Sequence, residues 1–168
     1  VVLARELSLK EIRDIRQNCK AELEVFVHGA LCVCMSGQCY MSGMLGGRSG
    51  NRGTCAQPCR LPFSLHADGT ADLSLRDLSA IHLLNELAQA GVQSFKIEGR
   101  MKRPEYVAAA VTACVEKRNG KQPDLEQLQA VFSRSGFTDG YLTEKRDKTM
   151  FGMRQKEDVT AAASVLAP

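Results

Sequence analysis

From Val25 to Ala67 the chain has no Asp or Glu, while Arg48, Arg52, Arg60, His28 and His66 lie in that window with five of the seven cysteines. Seven is odd, so complete internal disulfide pairing is impossible, and clustered cysteines in a reducing compartment point to metal binding or catalysis. Cys32, Cys39, Cys55 and Cys59 follow the pattern C-x6-C-x15-C-x3-C. Gly37, Gly43, Gly46, Gly47, Gly50 and Gly53 surround them and let the backbone fold tightly around a small inorganic object. Four thiolates suit either a structural zinc or an iron–sulfur cluster. Only the Cys55/Cys59 end fits the common zinc pairs, and spacing alone leaves the two metals level. Either centre is net negative, which Arg48, Arg52 and Arg60 can offset, and the same arginines can hold phosphate. Cys34 is a spare thiol two residues from Cys32. Cys19 and Cys114 fall in helix-like stretches, where a packed thiol is the expectation.

The rest of the chain bounds the architecture. With 168 residues, 44% hydrophobic and 24% charged, it has the size and composition of one globular domain. Its net charge of +3 announces no partner by itself. The longest near-apolar run, Val107 to Val115, is far short of the ~20 residues a membrane span needs, and no signal peptide is visible, so a cytoplasmic protein is expected.

Strand and helix patterns alternate. Val1 to Leu3 reads as a short strand. Ser8 and Glu11 form a capping box opening a helix over about Leu9 to Asn18. Leu23 to His28 alternates as a strand, with Glu24, Phe26 and His28 on one face. Ser74 and Asp77 offer a cap for a helix carrying Leu78, Ile81, Leu84 and Leu87, stopped by Gly91. Gln93 to Glu98 reads as a strand, and Pro104 opens a helix through Val107, Val111 and Val115 to Gly120. Asp124 starts an amphipathic piece through Leu125, Leu128 and Val131; the tail after Gly152 is too mixed to assign. This order predicts an α/β fold with parallel strands and helical crossovers. About four strands are visible, half the complement of a TIM-type β/α barrel, and the start in a strand without Met fits a piece of a longer protein. A small open sheet is the competing architecture.

The run Glu24 to Cys32 (EVFVHGALC), continuing through Ser36-Gly37-Gln38-Cys39-Tyr40-Met41-Ser42, resembles the signature of the collagenase-like peptidase family U-32. Gly46 to Arg60 (GGRSGNRGTCAQPCR) and Phe95 to Val107 (FKIEGRMKRPEYV) are similar to the same family, and Gly136 to Leu142 echoes it more weakly. The resemblance covers about Leu3 to Gly120. Its closest subgroup resembles bacterial enzymes that hydroxylate a pyrimidine in ribosomal RNA, with relatives acting on transfer RNA. It implies the C-terminal half of a β/α barrel over residues 1–120, with a long Cys/Gly-rich loop insertion at 29–62, and a helical extension and tail over 121–168. It also implies a 4Fe-4S iron–sulfur cluster on Cys32, Cys39, Cys55 and Cys59, with Zn as the alternative metal.

Two reactions compete. Proteolysis lacks a G-x-S-x-G elbow or an H-E-x-x-H helix, and Cys34 with His28 is the one imaginable Cys–His pair. Ring hydroxylation needs redox chemistry that side chains cannot supply, which an iron–sulfur centre meets. The resemblance then implies an rRNA or tRNA substrate and prephenate as co-substrate. Arg48, Arg52, Arg100 and Arg103, with Lys96 and Lys102, are the phosphate-binding candidates; Tyr40, Phe63 and Tyr106 are the nearby aromatics for base stacking. Glu24, His28, Lys96 and Glu98 are the catalytic candidates, because inward-facing residues near strand ends carry barrel chemistry; Glu6 ends the first run. A half-barrel also predicts uncovered strand edges and self-association.

Overall fold

A computed structural model of the chain describes residues 1–64, 71–99, 102–131 and 133–166. Helix α1, Leu9–Asn18, opens on the expected capping box: the Glu11 amide donates to Ser8 Oγ (3.2 Å) and the Ser8 amide to Glu11 Oε2 (2.7 Å). Its one fully buried side chain is Ile12. The following strand β1, Glu24–Ala30, buries Val25 and Val27 on its core side. Before α1, Val2 bridges Glu24 in parallel, with the Leu3 amide donating to the Glu24 carbonyl at 2.9 Å.

After β1 the chain makes the long excursion that holds the cysteines, including the short helix α2, Met41–Gly46, and returns as β2, Asp77–Ser79. Helix α3, Leu84–Gln89, follows a 3-10 turn over Ile81–Leu83 and leads to β3, Ser94–Ile97. Then come α4, Pro104–Arg118; α5, Leu125–Val131; β4, Phe137–Thr138; and α6, Lys156–Leu166. The sheet runs in the order β3-β1-β2-β4 and is open, with β3 and β4 at its edges. β1/β3 and β2/β4 are parallel, whereas β1 and β2 are antiparallel, with His28 opposite Ser79 and Ala30 opposite Asp77. The fold is therefore mixed α/β, and the strictly parallel order expected from the sequence is not met at β2. The excursion returns beside the strand it left, and an antiparallel return needs no crossover helix.

Two further expectations are corrected. Ser74 and Asp77 do not cap a helix; Asp77-Leu78-Ser79 is the strand β2. Ser74 Oγ accepts from Arg60 and the Asp77 carboxylate from Arg134, so both side chains serve distant partners rather than local amides. On α4 the buried face is Tyr106, Ala110 and Ala113, while Val107, Val111 and Val115 stay 42–47% exposed. The Asp124 start holds, with its side chain accepting from the Gln127 amide (2.8 Å) and Leu128 and Val131 buried. The segment after Gly120 is more than helical, since it supplies β4 and brings Leu142 and Met150 into the main core. The unassigned tail holds α6.

Just past β3, the chain runs close against Gly29 of β1 at Glu98. The φ of Gly29 is +123°, and a Cβ there would lie 2.4 Å from the Glu98 carbonyl oxygen, beside a register irregularity between Phe26 and His28. Gly29→Ala therefore combines left-handed backbone strain with a clash against main chain. It should cost the full-length protein more than about 2 kcal/mol in urea unfolding; a loss within error of zero would show that the two strands can part without consequence.

Candidate functional site

Where β1 runs out, Ala30, Leu31 and Cys32 form one wall of a cavity of about 540 Å³. The turns of the excursion add Cys39, Cys55 and Cys59, so the four cysteines singled out by spacing line a single cavity. Arg5, Phe26, Glu98, Gly99 and Lys102 line the same cavity, as does Arg60 next to Cys59. The excursion is pinned by local bonds. Ser36 Oγ donates to Glu6 (2.9 Å), the Cys39 amide to Asn51 Oδ1 (3.2 Å), and the Ala56 amide to the buried Ser42 Oγ (2.9 Å). Arg48 Nε donates to the Thr54 carbonyl (2.8 Å), and Gly53 takes φ +79° to close the 3-10 turn over Gly50–Arg52. The Gln57 amide already donates to Cys55 Sγ (3.2 Å), the kind of bond that stabilises a metal-bound thiolate.

All seven cysteines are free thiols. Burial pushes the Cys59 thiol up, opposed by Arg60 beside it. Among the described residues no three His, Cys, Asp or Glu side chains converge as ligands of one ion. A single zinc holds four donors at about 2.0–2.3 Å, whereas a cluster spreads its four thiolates over a larger inorganic body. The donor set, all sulfur and around one cavity, suits a cluster or a four-cysteine zinc by its chemistry. Cys34 is absent from the cavity wall but interacts with Cys39 and Cys32, and burial raises its thiol as well. Cys19 and Cys114 pack against the core as expected, and burial pushes Cys114 up to about 11.

Comparison with known proteins matches residues 1–152 to peptidase family U32. The chain belongs to that family. Its curated relatives include the 23S rRNA 5-hydroxycytidine C2501 synthase of Escherichia coli, 51% identical over 64% of this chain and 18% of the relative. A collagenase of Porphyromonas gingivalis is 37% identical over 87% of the chain and 42% of the relative. The tRNA hydroxylation protein P1 of Bacillus subtilis is 34% identical over 94% of the chain and 43% of the relative. The chain thus spans less than half the length of these relatives. No solved structure matches it.

Within this U32 domain the other candidate residues fall in different places. Glu98 reaches the cavity and pairs with Arg5 at 3.1 Å, and Arg5 lies 4.3 Å over the Phe26 ring. Glu24 and Lys96 pair with each other at 2.9 Å, outside the cavity wall; the Ser94 hydroxyl and then Lys96 hold the Glu24 carboxyl below its usual range. Arg48 and Arg52 are exposed on the excursion, Arg103 pairs with Glu105 at 3.4 Å, and Arg100 and His66 lie outside the described residues. Tyr106 is buried, its hydroxyl donating to the Glu98 carbonyl (3.2 Å), so it offers no face to a base; Tyr40 and Phe63 remain exposed. Among the described residues no helix is long and apolar enough to cross a membrane.

His28 does not line the cavity. It is fully buried, 5.5 Å from the Tyr106 ring and 5.3 Å from Phe137, and among the described residues neither ring nitrogen has a hydrogen-bond partner. No Cys34–His28 pair is therefore formed. Sequence reasoning missed Arg134 and its buried pair with Asp77, whereas Lys102, a phosphate-binding candidate, lines the cavity and has its ammonium pushed down by burial to about 8. Burial raises the Asp77 carboxyl while Arg134, Lys102 and Arg60 oppose it. The basic letters were visible, but the Asp77–Arg134 pair joins residues far apart in the chain, and no local pattern announces it.

Burial, with Lys102 adding to it, pushes the His28 imidazole from 6.5 down to about 4. Between those values the unfolded chain binds the proton that the folded one excludes, so stability falls as pH drops through this window. Lowering the pH from roughly 7.5 to 5 should remove about 2 kcal/mol of unfolding free energy through this residue. A His28→Phe variant, unfolded in urea at both pH values, should lack that component; an unchanged pH dependence would assign the loss to other groups.

Proposed function

We propose that this domain is part of an iron–sulfur-dependent enzyme that hydroxylates a pyrimidine in ribosomal or transfer RNA. The observation that carries this reading is the convergence of Cys32, Cys39, Cys55 and Cys59 on one cavity that Arg5, Glu98 and Lys102 also line. Relatives named for rRNA and tRNA hydroxylation support the substrate class. The four cysteines would hold a 4Fe-4S cluster, which supplies the redox capacity that ring hydroxylation needs. Arg5 and Lys102 suit the carboxylates of prephenate, the co-substrate implied by the family resemblance. Glu98, paired with Arg5, would accept a hydrogen bond from a bound ring. Exposed Arg48 and Arg52 lie outside the cavity wall, where RNA phosphates can reach them. The parallel set of Val2, β1 and β3, with α1, α3 and α4 between and after them, supports the half-barrel reading, β2 and the excursion being the insertion.

Proteolysis has less to act with. Among the described residues no cysteine–histidine pair is formed, and the collagenase name of one relative is matched by hydroxylation names at similar identity.

Anaerobically purified full-length protein should be brown, absorb in the visible and contain iron and acid-labile sulfide. Cys32→Ser, Cys39→Ser and Cys55→Ser should each lower the iron content severalfold. Zinc in place of iron, or a colourless protein that cleaves peptides, would sink the reading. Binding of a labelled single-stranded RNA should weaken steeply with salt. Arg48→Glu and Arg52→Glu each remove one cation that neutralises a phosphate, and each should flatten the log–log slope by about 0.7. Fluorescence anisotropy at several salt concentrations measures both, and salt-insensitive binding would point to a protein substrate.

A further inference from the structure

Arg60 is held in an unusual way for a cation. Its guanidinium donates to the Leu31 carbonyl, to the Leu75 carbonyl (2.6 Å) and to Ser74 Oγ (3.2 Å), all of them neutral. Among the described residues no carboxylate forms an ion pair with it. Asp77, the acid near it, is taken by Arg134. Arg5, which lines the same cavity, is paired with Glu98. Arg60 lines the same cavity as the four cysteines, follows Cys59 directly, and bonds the residue just before Cys32. A fixed positive charge thus stands at the sulfur wall, anchored by three bonds and without an acid of its own.

We propose that Arg60 is the counter-charge of the cluster held by Cys32, Cys39, Cys55 and Cys59, and that its charge raises the cluster's reduction potential. The proposal rests on the iron–sulfur reading above. Reduction by a one-electron donor such as dithionite adds one negative charge to the centre and breaks no bond, while the donor is oxidised. A nearby fixed cation stabilises the reduced form more than the oxidised one, and partial burial keeps that attraction from being screened. Arg48 and Arg52 are exposed, so solvent and salt screen them. Of the other cations on the wall, Arg5 is paired with Glu98 and Lys102 also faces Asp77. The three bonds prevent Arg60 from swinging away, making it a positioning residue for charge rather than a group that touches substrate.

The test is a redox titration of the full-length protein with dithionite, followed by electron paramagnetic resonance, with iron and sulfide measured in parallel. Arg60→Gln should shift the midpoint potential to more negative values at wild-type iron and sulfide content. Arg60→Lys, which keeps the charge but not the forked bonding, should stay near wild type. A wild-type potential in Arg60→Gln would overturn the proposal, as would an equal shift in both variants. If Arg60→Gln does not assemble, Arg60→Lys decides alone: a wild-type potential supports the role of charge, and a shifted potential or absent iron overturns it. Wild-type protein without iron and sulfide would overturn the iron–sulfur reading itself.

Discussion

β1 is hydrogen-bonded along both edges, and the geometry of the site hangs from it. One edge carries β3 throughout. The other is shared: Val2 pairs with its first residue in parallel, and β2 pairs with its last three in the opposite direction. That division of one edge lets a long excursion leave the sheet and return at the same place, its ends held together by ladder hydrogen bonds. The cysteines are consequently presented at the C-terminal end of a rigid strand. A site mounted so is better preorganised than one on free loops.

Charge is the second organising element. The excursion contributes no acid before Asp68, and beneath it Asp77 meets Arg134, Lys102 and Arg60. A buried surplus of cations is costly in the absence of a compensating anion. Thiolates around the metal centre proposed above would be such an anion, and the cost of the basic groups and that of the sulfur site would then offset each other. The Arg134–Asp77 pair is the part of this arrangement that is already complete within the chain.

What could be read in advance was what local chemistry determines. The Ser8/Glu11 box, the proline opening α4, the alternation in β1 and the cysteine spacing each depend on residues a few positions apart, and the structure keeps them. Asp77 failed because an acid before an apolar periodic run has the same local signature whether it caps a helix or meets an arginine from another part of the chain. The α4 face failed because Val outranks Ala in hydrophobicity, whereas close helix packing favours the smaller side chain. His28 was legible as a residue on the Phe26 face, but the irregularity after Phe26 and the packing of Tyr106 and Phe137 decide where its ring ends up.

The valines on α4 have a consequence of their own. Beta-branched residues lose side-chain rotamer freedom in a helix, and each is a weaker helix former than alanine by up to about 0.7 kcal/mol. At half-exposed positions little packing within this domain repays that loss. Val107, Val111 and Val115 thus make α4 less helical than an alanine- or glutamate-bearing surface would, while giving it a ridge of stiff, water-averse side chains. Surface redesign that stabilised this helix for laboratory handling would erase the ridge at the same time, trading a fitted contour for a generic one.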